Sequence, residues 1–103
     1  MSDSGLSLGR LGEDASFSFL RAKGYKILDR NVKLGIGEID IIAYKGSTLY
    51  IFEVKTRKNT TSGDPYEAVD KRKTNKLLLM GEKYSLQKKL THSKLSLGVI
   101  AVL

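Results

Sequence analysis

Two runs of alternating side chains occupy the middle of the chain and are joined by Gly46-Ser47. Residues 37–55 read GEIDIIAYKGSTLYIFEVK. Apolar runs separated by a glycine-containing pair predict a β-hairpin with a two-residue turn, and glycine at the first turn position favours the type II′ geometry. Near the turn both faces of the hairpin are apolar, so we expect it to lie inside a layered α/β domain.

The two-residue turn also determines which residues of the hairpin face each other. It predicts four opposed pairs: Tyr44 with Leu49, Ile42 with Ile51, Asp40 with Glu53, and Glu38 with Lys55. Opposed Cβ atoms lie roughly 4.5–5.5 Å apart. Because side chains alternate along a strand, the last two pairs place three acids and one lysine on one face, at the open end of the hairpin.

Asp40 and Glu53 are the residues that point to chemistry. Two opposed carboxylates repel each other and are costly to desolvate, and a bound divalent cation would make the arrangement favourable. The chain has no cysteine and only one histidine, His92. Carboxylate ligands favour a hard cation such as Mg²⁺ or Mn²⁺. The alternative is a plain ion pair between Glu38 and Lys55, with the other two acids at a wet rim.

A first helix is predicted before the hairpin, from about Ser7 to Ala22, with Gly24 as its C-cap. Apolar residues recur along it at spacings of three and four, which predicts a buried stripe: Leu8, Leu11, Ala15, Phe19 and Ala22. A first strand is expected over Tyr25–Val32. Together with the hairpin, these segments predict one helix followed by three strands.

A second helix and a final strand are predicted after the hairpin. Asp64, Pro65 and Glu67 form a capping pattern, and the helix is expected to continue to about Leu86. Its predicted apolar side consists of Val69, Leu77, Met80 and Tyr84. The stretch LSLGVIAVL predicts a buried closing strand. The order is therefore αβββαβ, an α/β fold with a mixed central sheet flanked by helices.

The composition adds general limits. The chain has 103 residues, which fits a single domain over residues 1–103. The absence of cysteine agrees with a cytoplasmic location. We find no signal peptide and no apolar run long enough to span a membrane. Basic residues outnumber acidic ones by 18 to 11, and a net charge of +7 suits a polyanion such as nucleic acid, although a solvated basic surface is the alternative.

The acids and the lysine of the hairpin resemble the PD-(D/E)xK nuclease superfamily. GEID followed by FEVK supplies Asp40, Glu53 and Lys55, with twelve residues between the two acids. More narrowly, the chain resembles the YraN-like bacterial family, which is related to archaeal Holliday junction resolvases. The matching stretches are GRLGEDASFSFLRAKGYKILDRN, GEIDIIAYKGSTLYIFEVKTR and AVDKRKTNKL, which together cover about Gly9 to Leu77.

The resemblance implies a restriction-endonuclease-like core and a Mg²⁺- or Mn²⁺-dependent endonuclease that hydrolyses DNA, with branched or damaged DNA as candidate substrates. Asp40 and Glu53 would ligate the metal, with the Val54 carbonyl and Glu13 as further ligands. Lys55 would position the attacking water and stabilise charge on the phosphate. Glu13 also has a simpler interpretation, because acids early in a helix favour the helix dipole.

The remaining site candidates support these residues or bind the substrate. Glu38 is expected to pair with Lys55 or to support the metal ligands from behind. Eight basic residues are candidates for DNA contacts: Arg30, Lys33, Arg57, Lys58, Lys71, Arg72, Lys73 and Lys76. Relatives that cut branched DNA act as two-fold pairs, so a homodimer is also expected. Two alternatives stay open: a non-catalytic nucleic-acid-binding module, and a protein-interaction domain within a DNA-processing complex.

Overall fold

A computed structural model describes residues 4–56, 71–90 and 93–102 of the chain. Its elements are α1 (Ser4–Ala22), β1 (Lys26–Lys33), β2 (Glu38–Lys45), β3 (Thr48–Thr56), α2 (Lys71–Gln87) and β4 (Lys94–Val102). This order confirms the predicted αβββαβ arrangement. Within the described residues, neither helix is both long and apolar enough to cross a membrane.

The four strands form one mixed sheet in the order β1-β2-β3-β4. The first three are antiparallel neighbours, and β4 pairs parallel with β3 along its length. Parallel neighbours require a crossover connection, and α2 belongs to it. The helix that follows β3 therefore packs against a sheet whose central strands are β2 and β3.

The hairpin turn has the predicted position but not the predicted type. Both turn residues have positive φ, 55° at Gly46 and 63° at Ser47. A type II′ turn requires positive φ only at its first central residue, so the turn is type I′ and the predicted type II′ is wrong. Both types have two-residue loops, so the pairing is unchanged: Tyr44 faces Leu49 and Ile42 faces Ile51, as predicted.

Apolar side chains cover both faces of the sheet, which confirms that the hairpin lies between two layers. The α2 side holds the larger cluster: Leu34, Ile39, Ile42, Leu49, Ile51, Leu77, Met80 and Tyr84. On the α1 side, Leu20 packs with Ile41, Ala43 and Phe52, and partly buried apolar residues surround them. Tyr50 and Phe52 stack there with ring centroids 5.6 Å apart.

The predicted buried stripe of α1 is wrong. Leu11 is 66% exposed and Phe19 is 54% exposed, and Ala15 and Ala22 are also exposed. Among residues 11–22 the buried positions are Gly12, Ser16 and Leu20, and the burial of Leu8, the first member of the predicted stripe, lies outside what the structure describes. The physical reason is close approach, since a Cβ at Gly12 would overlap the Thr56 side chain of β3. The small residues Gly12 and Ser16 therefore take buried positions of α1 together with Leu20, whereas Leu11 and Phe19 point to solvent.

The second helix agrees with its prediction wherever the structure describes it. It ends at Gln87, one residue beyond the predicted end, and Leu77, Met80 and Tyr84 are buried. The predicted capping residues Asp64, Pro65 and Glu67, together with Val69, lie outside the described residues. Gly24 has a φ of 92° just after α1, which is the left-handed conformation expected of the predicted C-cap glycine.

Candidate active site

The backbone pairing of β2 with β3 changes character at the open end of the hairpin. Facing pairs run from Lys45–Thr48 to Ile41–Phe52. Beyond them, the backbone N–H of Val54 donates to Asp40 Oδ2 over 2.8 Å. A side-chain carboxylate thus takes the place that a backbone carbonyl would occupy in a continued antiparallel ladder. This bond fixes the Asp40 side chain against β3.

The predicted pairs Asp40–Glu53 and Glu38–Lys55 would lie beyond the last facing pair, Ile41–Phe52, so these two pairings stay predictions. Asp40 and Glu53 nevertheless lie close together, because the charge of Glu53 acts on the Asp40 carboxyl. Burial raises the pKa of Asp40 to about 6; the Val54 N–H opposes this change, and the neighbouring Glu53 adds to it. Such a raised pKa indicates that a negative charge on Asp40 is poorly compensated. A proton or a cation would relieve it.

Two lysines complete the cluster. Glu53 Oε2 accepts a hydrogen bond from Lys73 Nζ at 3.0 Å, and the Glu53 side chain is only 13% exposed. Burial lowers the pKa of Lys55, the charge of Glu53 opposes this change, and the nearby Lys73 adds to it. The structure therefore brings the predicted trio Asp40, Glu53 and Lys55 together and adds Lys73 from α2.

An open cavity of about 410 Å³ separates this end of the hairpin from α2. Acidic, basic and apolar side chains share its wall: Gly37, Glu38, Asp40, Glu53, Arg72, Lys73, Lys76, Leu77 and Met80. Two of the predicted ligands, Asp40 and Glu53, thus face the same space as three basic residues of the helix. An anionic group that entered the cavity would meet positive charge from α2 and the carboxylates from the sheet.

Glu13 and Arg30 lie at the edge of this cluster. The negative charge of Glu13 contributes to the raised pKa of Asp40, which places α1 close to the site. Arg30 Nη2 lies 2.8 Å from Asp14 Oδ1 and 4.0 Å from Glu13 Oε1, and its guanidinium lies 4.8 Å from the Phe17 ring centroid. Arg30 therefore already has partners within the chain, and a DNA contact by it stays a prediction.

The other predicted residues fall into three groups. Glu38 pairs across the sheet with Lys33 and lines the cavity, and its partnership with Lys55 stays a prediction. Solvent-exposed basic residues lie at the end of β1 and along α2: Lys33, Lys71, Arg72 and Lys76. Arg57, Lys58 and His92 lie outside the described residues.

The donor atoms of the site fit a hard divalent cation. Asp40 and Glu53 both line the cavity and offer carboxylate oxygens, and the raised pKa of Asp40 marks a charge that such an ion would neutralise. The number of side-chain ligands is incomplete, because the described part of the chain contains no group of three His, Cys, Asp or Glu side chains placed to hold a metal. A bound ion would therefore need backbone or water oxygens as well.

Sequence reasoning grouped Lys73 with the surface lysines and missed its place in the cluster. Lys73 precedes the buried residues Leu77, Met80 and Tyr84 by four, seven and eleven positions. These spacings place it on the core-facing side of α2. A lysine that continues an apolar stripe is the signal that could have identified it, because such a position requires an acidic partner.

The fold and the site together define a class: a small αβββαβ protein whose central hairpin carries two close carboxylates and a lysine beneath a basic helix. The chain belongs to the uncharacterised protein family UPF0102, whose model matches residues 12–102. It is 42% identical over 96 residues to a UPF0102 protein of Dictyoglomus thermophilum, covering 93% of this chain and 81% of that relative. A UPF0102 protein of Syntrophotalea carbinolica is 42% identical over 97 residues, covering 94% and 79% respectively.

Proposed function

We propose that this protein is a Mg²⁺- or Mn²⁺-dependent endonuclease that hydrolyses phosphodiester bonds of DNA. One observation carries the proposal: Asp40, Glu53 and Lys55 lie together, and the two carboxylates share a cavity with basic residues of α2. The resemblance of GEID and FEVK to the PD-(D/E)xK superfamily supports the same interpretation. Carboxylates beside a lysine suit phosphodiester hydrolysis, because that reaction needs a bound metal ion and a positive group that stabilises negative charge on the phosphate.

In this proposal Asp40 and Glu53 hold the metal, with the Val54 carbonyl and Glu13 as further ligands. A bound ion would polarise the phosphate and lower the pKa of a water molecule. The Val54 N–H already fixes one oxygen of Asp40, so this carboxylate is oriented before any ligand arrives. Such preorganisation lowers the cost of arranging charges during the reaction.

Lys55 acts on the reacting groups directly. Hydrolysis forms a bond from a water oxygen to phosphorus while one ester P–O bond breaks; the water loses a proton and the leaving oxygen gains one. Lys55 lies two residues after Glu53 on β3, so its side chain extends from the same face of the strand. There it orients the water and stabilises the negative charge that builds on the phosphate.

Substrate binding in this proposal relies on the basic side of α2. Lys71, Arg72 and Lys76 are exposed, and the last two line the cavity that holds the carboxylates. Contacts of this kind attach to phosphates and carry no sequence information. Branched or damaged DNA remains the proposed substrate form because of the resemblance to junction resolvases. The expected homodimer also remains a proposal, which sedimentation equilibrium would check.

Nuclease assays test the proposal. Purified protein is incubated with Mg²⁺ or Mn²⁺ and with duplex, single-stranded or four-way-junction DNA. We expect cleavage that falls by at least about 100-fold in Asp40→Asn and in Lys55→Ala, because each removes a group needed in the transition state. Glu82→Gln, which changes an exposed acid of α2 outside this cavity, serves as the matched control. Cleavage by both site variants at the wild-type rate would refute the site.

A non-catalytic nucleic-acid-binding module is the second candidate, and one observation favours it. The ion pair with Lys73 already gives Glu53 a partner without any metal. Under this alternative the wild-type protein binds DNA with a strong salt dependence but does not cleave any of the three substrates. Affinity that barely changes between low and moderate salt would count against both candidates and would favour a protein-interaction domain.

A further inference from the structure

Lys73 lies on the core-facing side of α2, where an apolar residue is usual. It lies on the side of α2 that also carries Leu77 and Met80, and those residues are 5% and 2% exposed. Its ammonium reaches Glu53 Oε2 at 3.0 Å. A charged group placed there loses hydration, and the contact with Glu53 compensates for that loss.

The electrostatics agree with a close ion pair. Burial would lower the pKa of Lys73, but the hydrogen bond to Glu53 and its charge outweigh this effect, so the pKa is raised. Lys73 is therefore positively charged at neutral pH. Glu53 thus has a positive partner before any external cation binds, whereas a charge on Asp40 remains poorly compensated.

We propose that Lys73 is a built-in counterion of the Asp40–Glu53 pair, which a divalent cation must displace from Glu53 in order to bind. This inference rests on the proposed metal-dependent function. An ion ligated by Glu53 would lie within a few ångströms of the Lys73 ammonium, and like charges at that distance repel. Once displaced from Glu53, the ammonium would remain on the wall of the cavity, where a phosphate group of the substrate would meet it.

The consequence is that the metal affinity of the free protein is held down by one of its own side chains. A cation that binds Glu53 has to break the existing ion pair before it gains its own contacts. Removing the ammonium should therefore tighten metal binding. This direction is informative, because loss of a residue that merely supported the site would weaken binding or leave it unchanged.

Mn²⁺ binding to the purified protein, without DNA, tests the inference. Electron paramagnetic resonance measures free Mn²⁺ during a titration at about 0.15 M salt, where charges beyond about 8 Å are screened. We expect Lys73→Gln to bind Mn²⁺ about fivefold more tightly than wild type, the size of a partly exposed ion pair. Lys73→Met, which keeps an apolar stem, should do the same. Lys73→Arg retains the charge and should bind as wild type does.

Lys83→Gln is the matched control, since it removes an exposed lysine from the same helix outside the cavity lining. The inference is overturned if Lys73→Gln binds Mn²⁺ no more tightly than wild type, or if Lys83→Gln tightens binding equally. If Lys73→Arg bound Mn²⁺ more tightly than wild type, that result would overturn the inference as well. Asp40→Asn separates the two proposals: Mn²⁺ binding that this variant does not weaken would overturn the proposed metal site itself, and this inference with it.

Discussion

The two ends of the hairpin have opposite physical character. At the closed end, Tyr44 faces Leu49 and Ile42 faces Ile51, and three of these four side chains are fully buried. At the open end, Asp40 binds the Val54 N–H with its side chain and lies beside Glu53. The closed end places apolar surface against α2. The open end places charge against the same helix.

The difference shows which end of the hairpin stabilises the fold and which end carries an unfavourable buried charge. Burial of Ile42, Leu49 and Ile51 favours folding, because apolar surface leaves water. Burial of Asp40 opposes folding at neutral pH, because its folded pKa of about 6 lies above the ordinary value of 3.8. A stable closed end thus holds an electrostatically unfavourable open end in place.

The largest change in stability is expected when a buried side chain is truncated at the closed end. Ile51→Ala removes a side chain with no exposed surface, packed between the sheet and α2. We expect the free energy of unfolding to fall by about 2–5 kcal/mol, measured by urea denaturation. Leu79→Ala is the control, because Leu79 is 58% exposed on the same helix; its change should stay within about 0.5 kcal/mol. Equal losses in both variants would contradict the assigned core.

A smaller loss of folding stability is expected at Gly12, where α1 meets the open end of the hairpin. Gly12→Ala would place a methyl group on the Thr56 side chain, so the helix or the end of β3 must shift. Overpacking of this kind costs about 1–3 kcal/mol, more than the gain in helix propensity from alanine. Ser18→Ala, at an exposed position of the same helix, should change thermal stability little. If Gly12→Ala were more stable than wild type, α1 would not approach β3 so closely.

A gain in stability is expected from neutralising Asp40. Because its folded pKa is raised, the proton on Asp40 stabilises the folded state below about pH 4, and this contribution is lost as the pH rises through 6. Asp40→Asn keeps an acceptor for the Val54 N–H and cannot ionise. We expect it to exceed wild type by about 1 kcal/mol at pH 8, a figure reduced for partial exposure, and to equal it near pH 4. Urea denaturation at both pH values measures the difference.

The opposite result for Asp40→Asn would be informative. If the variant were less stable than wild type at pH 8, the negative charge on Asp40 would be well compensated and the open end would not be strained. Glu82→Gln controls for the loss of one negative charge from a protein of net charge +7.

The smallest effect is expected at the turn itself. Ser47 has a φ of 63°, a conformation that costs non-glycine residues about 1–2 kcal/mol. Ser47→Gly relieves this strain but increases the entropy of the unfolded chain, so we expect a net gain of about 0.5 kcal/mol in thermal unfolding. Gly46→Ala, at a φ of 55°, should destabilise instead. A loss of stability in Ser47→Gly would contradict the type I′ geometry.

Most of the fold and the central part of the site could be predicted from the sequence because local patterns encode them. Alternation and a two-residue turn determine the facing pairs near the turn, and they place Asp40 and Glu53 at the same end of the hairpin. The turn type was wrong because Gly-Ser is compatible with both primed turns. The stripe of α1 was wrong because apolar periodicity favoured Leu11 and Phe19, whereas close packing on Thr56 selected Gly12 and Ser16.

Local sequence patterns were enough to predict the order of elements and the facing pairs nearest the turn, since these depend on residues close together along the chain. The folded chain alone reveals which side of α1 is buried, that Lys73 contacts Glu53, and that burial raises the pKa of Asp40. Those features depend on how segments distant in sequence pack together. Packing distance and desolvation are properties of the assembled layers, and no local pattern carries them.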